Sequence, residues 1–133
     1  MNAAREAWTP RMLAILRIIT ALLFMEHGLM KFFGFPAPLP DGGGSLPILL
    51  QVAGCLETIG PVLLILGLFT RPVAFLLSGE MAVAYFKAHA PHSFWPVLNH
   101  GEPAVLYCFI FLFLVFAGPG AFSLDSVIGK KTR

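Results

Sequence analysis

Apolar positions fall into four long blocks separated by short polar or proline-rich stretches. The first block covers residues 12–33, and its ionisable interruptions are Arg17, Glu26, His27 and Lys31. A signal peptide would also follow a basic start, but Arg17 breaks the run and no small-residue cleavage pattern precedes Glu26. The pattern therefore predicts a retained first helix. In residues 34–45, Pro36, Pro38 and Pro40 alternate ahead of three glycines. Proline lacks a backbone donor and glycine is conformationally loose, so an extended loop is expected there. A second span is predicted over residues 46–69, with Gly60 and Pro61 as a candidate kink. Thr70, Arg71 and Pro72 read as a tight turn, and a third span follows over residues 73–89. Residues 90–101 are polar and aromatic, and a fourth span is predicted over residues 102–117, ending at Gly118-Pro119-Gly120. At ~1.5 Å per residue that last span reaches ~24 Å, short of a ~30 Å hydrocarbon core. Either its helix extends through Phe122 or the bilayer thins around it.

Composition agrees with spans rather than a soluble core. Of the 133 residues, 57% are hydrophobic and 12% charged, and the mean hydropathy is +0.80. Soluble domains sit near ~45–50% apolar and ~25% charged, so a disordered chain, a collagen-like fibre and most soluble enzymes are excluded. A span takes about 20 residues, which leaves no room for a separate soluble domain. The fold class expected is all-α: a single integral membrane domain, residues 1–133, built as a four-transmembrane-helix bundle. Arg5, Arg11, Arg71, Lys130, Lys131 and Arg133 cluster on the tails and the second turn, against Lys31 and Lys87 at the edges of the other loops. Positive-inside counting then places both termini and the Arg71 turn in the cytoplasm. A net charge of +2 gives no reason to expect a nucleic-acid partner.

The charged residues change the picture of a passive anchor. About half of them lie within spans or at their mouths, where each costs roughly 2.5–3.5 kcal/mol on insertion. Counting helical rise puts Arg17 and Glu80 at similar depth, which predicts a structural ion pair between the first and third spans. Glu57 has no cation at its counted depth, so it is expected to be protonated, hydrogen-bonded or turned toward a ligand. His27 and Lys31 are one turn apart on one helix face. His89, His92, His100 and Glu102 gather around the third loop with Phe94 and Trp95. The aromatics also fit an interfacial belt, and His92 fits a wetted loop. A metal centre needs three or four ligands at fixed distance, so no metal ligand set is assigned. A bis-histidine haem on His27 and His89 ranks behind a quinone or thiol pocket, which needs one or two protonatable donors beside aromatic walls. Cys55 and Cys108 sit in apolar runs without a CxxC motif and read as small hydrophobes.

The motifs have a familiar order. His27-Gly28-x-x-Lys31 closes span one; Glu57 precedes Gly67-Leu-Phe-Thr-Arg71; Glu80-Met-Ala-Val-Ala-Tyr-Phe leads to His89; Asn99 and Gly101–Glu102 open span four; and Gly118-Pro-Gly-x-x-Ser-Leu-Asp125 follows it. Together they resemble the DoxX family of small bacterial four-helix membrane proteins, over most of the chain. The resemblance implies a link to thiol, sulfur-compound or quinone-stress systems, and its recurrent polar positions fall on His27, Lys31, Glu57, His89 and Glu102. One departure is His100, where a glycine is expected.

These readings lead to a component of a quinone-linked thiol or sulfur-compound oxidoreductase system, or thiosulfate:quinone oxidoreductase subunit. His27, Glu57, His89 and Glu102 would be the catalytic set, with His27 and His89 as donors to the quinone carbonyls. Lys31, Trp95 and His100 would bind substrate, Lys31 favouring an anionic substrate or semiquinone. Quinone enters as co-substrate, and no flavin or dinucleotide fingerprint is present. The partners expected are the lipid bilayer, a redox partner protein and further copies of the chain. A proton-coupled transporter using the membrane carboxylates and a non-catalytic scaffold or assembly factor are the alternatives.

Overall fold

The computed structural model describes residues 2–40 and 45–131. Asp41, the three glycines after it and Arg133 lie outside the described residues, and with them part of the expected loop and of the basic tail. The described residues are all-helical, with no strand. Helix α1 spans Ala3–Phe33, α2 Ile48–Leu66, α3 Thr70–Ala84, α4 Pro96–Asn99, α5 Glu102–Ala117 and α6 Leu124–Lys131. Helix α3 runs without a break into a π-helical turn, Tyr85–His89, closed by the Ala90 amide donating to the Tyr85 carbonyl at 2.9 Å.

Helices α1 and α2 are long and apolar enough to cross a membrane. Only about a third of their apolar stretches is buried within the chain, so most of the apolar surface faces outward, as a lipid-facing helix requires. Helix α1 begins well before residue 12. Pro10 stands inside it, and the basic start expected to be a tail is its first turns. Helix α5 ends at Ala117, capped by Gly118. The extension through Phe122 therefore does not occur, because Gly118 (φ 80°), Gly120 (φ 71°) and Phe122 (φ 53°) turn the backbone out of helix.

Helix α1 packs chiefly on α2, and α3 on α5, with α2–α3 joining the two pairs. Small residues set the spacing, as is usual where lipid removes the hydrophobic drive between helices. A Cβ on Gly28 would stand 2.8 Å from the Glu57 carbonyl carbon and 2.9 Å from the Thr58 nitrogen, so α1 and α2 meet backbone to backbone there. Ala21, Phe24, Leu64, Ala74, Leu77, Met81, Phe111 and Leu114 form the core. Phe24 meets Phe111 edge-on at 5.0 Å between centroids.

One end of the bundle is tied by a clasp. Arg17 is fully buried and its guanidinium donates to the carbonyls of Pro119 and Phe122. Asp125 accepts from the Phe69 and Thr70 amides at 2.8 and 2.9 Å. It thereby caps the start of α3 from 55 residues away in sequence. The Asp125 amide returns a bond to Gly67, and Arg71 donates to Phe116 at 2.8 Å. The expected Arg17–Glu80 pair is not formed. Arg17 is turned toward the segment after α5, whose carbonyls accept from its two terminal nitrogens, while Glu80 lies on the cavity side of α3. Burial alone would raise the pKa of Asp125, but the amide bonds from Thr70 and Phe69 and the Arg17 charge outweigh it and hold the carboxyl below its ordinary value.

Candidate functional site

A cavity of about 560 Å³ opens between α1, α2, α3 and α5 toward the end of the bundle opposite the clasp. Its walls are mostly apolar. Leu49, Val52, Leu76 and Val83, which line it, are also exposed on the outer helix surfaces, so its mouth lies on the apolar flank. Its ionisable groups are His27 and Lys31 from α1, Glu57 from α2, Glu80 from α3, Lys87 and His89 from the π turn, His100 after α4 and Tyr107 from α5.

Lys31 and Glu57 form an ion pair, with side chains 13% and 5% exposed. This corrects the expectation that Glu57 has no cation within reach. Gly28 brings the α1 backbone level with Glu57, and the lysine one turn further on needs only its own length to fold back onto the carboxylate. Thr58, beside it, spends its hydroxyl on the Gly54 carbonyl at 2.7 Å. Both carboxyl oxygens of Glu80 are buried and meet no hydrogen-bond partner among the described residues. An ionised, unpaired carboxylate in such a place is strongly disfavoured.

His89 is oriented by the turn that carries it. Its Nδ1 lies 3.0 Å from the Asn99 carbonyl oxygen. A carbonyl only accepts, so Nδ1 carries the proton and the neutral ring presents Nε2 as an acceptor. Donation from Nε2 to a ligand, as expected of His89, therefore requires the imidazolium. Asn99 itself is locked, donating to the Ser93 carbonyl at 2.8 Å and accepting from the Gly101 amide at 2.7 Å. His27 packs against Phe24 and Tyr107, at 5.9 and 6.0 Å between ring centroids.

The cavity thus gathers His27, Lys31, Glu57, His89 and His100 of the expected site, but not all of it. Glu102 is exposed in the first turn of α5, where its charge suits the helix N-terminus. Trp95 is 61% exposed beside Phe94, and His92 is exposed as well; none of the three lines the cavity. His100 ends the short α4 with φ 57°, a left-handed conformation that glycine adopts without strain. That accounts physically for glycine as the residue anticipated there. Sequence reasoning did not assign Lys87 and Tyr107 to the site, and both line it. Tyr107 was detectable as the one polar-tipped residue on the α5 stripe of Ala104, Tyr107, Phe111 and Leu114. Among the described residues no three metal-ligating side chains cluster.

An apolar cavity with a polar floor, inside a helical bundle whose apolar surface faces out, fits a multi-pass membrane protein with an internal cavity. The chain belongs to the DoxX family, whose model matches residues 12–90, and is a protein of the bacterial inner membrane. It is 49% identical to an uncharacterized protein of Haemophilus influenzae over 95% of this chain and 97% of that one. It is 32% identical to a Bacillus subtilis protein named "Putative oxidoreductase CatD", over 98% and 96% of the two chains. Inner membrane protein YphA of Escherichia coli is 30% identical over 87% and 89%. No solved structure matches the chain significantly.

Proposed function

We propose that this protein binds a quinone in the flank-opening cavity, as a component of a system that passes electrons from thiols or sulfur compounds to the quinone pool. The cavity itself carries the reading. About 560 Å³ of mostly apolar space with a rim of exposed apolar side chains suits a lipid-soluble ring. Imidazole, ammonium and carboxyl groups on its floor can hold carbonyl oxygens and supply protons. The name of the Bacillus subtilis relative, an oxidoreductase, agrees with a redox role. In balance, two thiols lose their S–H protons and two electrons to form a disulfide, and the quinone gains both electrons and two O–H bonds. His27 and Lys31 bind and orient the carbonyls, and His89 takes part as a proton carrier through Nε2. The test is purification in mild detergent followed by extraction. A co-extracted quinone, lost in His27→Ala, is the expected result. A quinone-free protein whose His27→Ala variant retains thiol-dependent quinone reduction in vesicles sinks the proposal.

The same reading includes four crossings with both termini cytoplasmic. Helix α3 with its π turn, ending at His89, reaches roughly 30 Å at ~1.5 Å per residue. Arg71, Pro10 and Asp125 lie together at the clasp end, consistent with a cytoplasmic basic side. With Cys55 and Cys108 replaced by serine, Ser93→Cys should react with an impermeant thiol reagent in intact cells and Ser126→Cys only after permeabilisation. The reverse pattern would invert the topology.

The unpartnered Glu80 favours one second reading, a proton-coupled exporter of small molecules. Substrate-driven pH change in proteoliposomes, abolished by Glu57→Gln, would decide for it.

A further inference from the structure

Lys31 lines two spaces. It forms part of the cavity wall and also part of a separate pocket of about 410 Å³ beneath the proline loop, with Met30, Gly34, Pro38, Leu46 and Gln51. Lys31 thus borders both a loop-side space and the membrane cavity, with its ammonium held on Glu57, itself a residue of the cavity wall. On the cavity side stands Glu80, in the electrostatic field of Glu57 and Lys31. Its oxygens are buried and unbonded. The groups that share its cavity are His27 and Lys31 from α1, Glu57 from α2, Tyr107 from α5, and Lys87, His89 and His100 from the outer segments.

The Lys31 and Glu57 charges cancel each other. An ionised Glu80 would add an anion with no hydrogen bond of its own, so the resting group is a neutral carboxylic acid. A neutral acid with free oxygens beside a ligand chamber has a proton to give. A cation shared with the outer pocket is placed to restore it.

We propose that Glu80 and Lys31 form a proton relay between the outer pocket and the cavity, with Glu57 as the residue that positions Lys31 between the two. The Glu80 O–H bond breaks as a bond forms from the proton to the ligand's acceptor atom. The Lys31 ammonium then reprotonates the carboxylate, and the amine left behind takes a proton from water in the outer pocket. The relay serves any cavity ligand that takes up a proton, so its failure would leave the quinone reading standing.

Infrared spectroscopy of the full chain in lipid tests it without any turnover. The carbonyl stretch of a protonated carboxylic acid is expected at neutral pH, present in Glu57→Gln and absent in Glu80→Gln. Circular dichroism and monodispersity in detergent establish that each variant is folded; should Glu80→Gln not fold, Glu80→Asp must shift the band. Transfer into deuterium oxide then reads the relay. The double variant K31M/E57Q removes both charges together and leaves no orphan, and exchange of the Glu80 proton should slow by on the order of a hundredfold. A band that survives Glu80→Gln unchanged, or exchange as fast in K31M/E57Q as in the wild type, overturns the proposal.

Discussion

Lys31 on α1 and Glu57 on α2 pair inside the bundle, one helical turn beyond the point where Gly28 presses the α1 backbone against the Glu57–Thr58 peptide. Close approach and charge pairing are two parts of one contact, so each should respond when the other is altered.

Removing one charge leaves the other buried. Lys31→Met is expected to destabilise the folded protein by roughly 3–5 kcal/mol, while K31M/E57Q costs far less because no charge is orphaned. Unfolding in mixed micelles measures both. Equal losses in the single and double variants would mean that the pair is solvated.

Gly28→Ala should act from the other side. The new Cβ would lie 2.4 Å from the Thr58 hydroxyl oxygen and under 3 Å from two backbone atoms of α2. The hydroxyl can rotate away, but backbone cannot, so the helices must separate at a cost of about 1–3 kcal/mol. A cysteine cross-link between α1 and α2 near this level should form more slowly in Gly28→Ala; an unchanged rate would mean the helices absorb the methyl group.

Asp125 gives the clasp a pH dependence. Its folded-state pKa lies below the ordinary value of 3.8. Its contribution is therefore complete above about that pH and is lost as pH falls through the lower folded-state value. Asp125→Ala should cost about 1 kcal/mol at neutral pH, the worth of a helix cap. Its stability should also fall less steeply on the acid side, as thermal melts across an acid series would reveal.

His100→Gly should be tolerated or stabilising. Relief of the left-handed backbone is worth ~1–2 kcal/mol, partly offset by the ~0.5–1 kcal/mol entropy cost of glycine. A melting temperature clearly below the wild type would show that the imidazole itself holds the loop.

The helices were legible because blocks of apolar residues and proline punctuation act locally. Helix α5 was found at its true bounds, since Gly101 and Gly118 flank it. Depth counting singled out His27, Glu57, Glu80 and His89, which share the cavity, and misassigned their partners. It fixes height along the bundle and carries no information on rotation about each axis. Arg17 and Glu80 share a counted height, yet the Arg17 side chain turns into the clasp and Glu80 toward the cavity. Lys31 and Glu57 seemed mismatched in height because the approach at Gly28, a tertiary contact, sets the offset between α1 and α2. The clasp was visible only as unexplained motifs. Gly67-Leu-Phe-Thr-Arg71 and Gly118-Pro-Gly-x-x-Ser-Leu-Asp125 make sense once Asp125 is seen bonded to the amides of Phe69 and Thr70.

The mouth of the cavity on the apolar flank determines what concentration its ligand experiences. A molecule arriving through Leu49, Val52, Leu76 and Val83 is drawn from the hydrocarbon phase, so its mole fraction among lipids, rather than its aqueous molarity, fills the site. The isoprenoid tail of the proposed quinone would remain in that phase, where lengthening it changes partitioning and not contacts. Acyl chains and detergent tails compete for the same doorway. An affinity measured in micelles will therefore scale with the micellar volume, and two laboratories using different detergent concentrations should obtain different constants from the same protein.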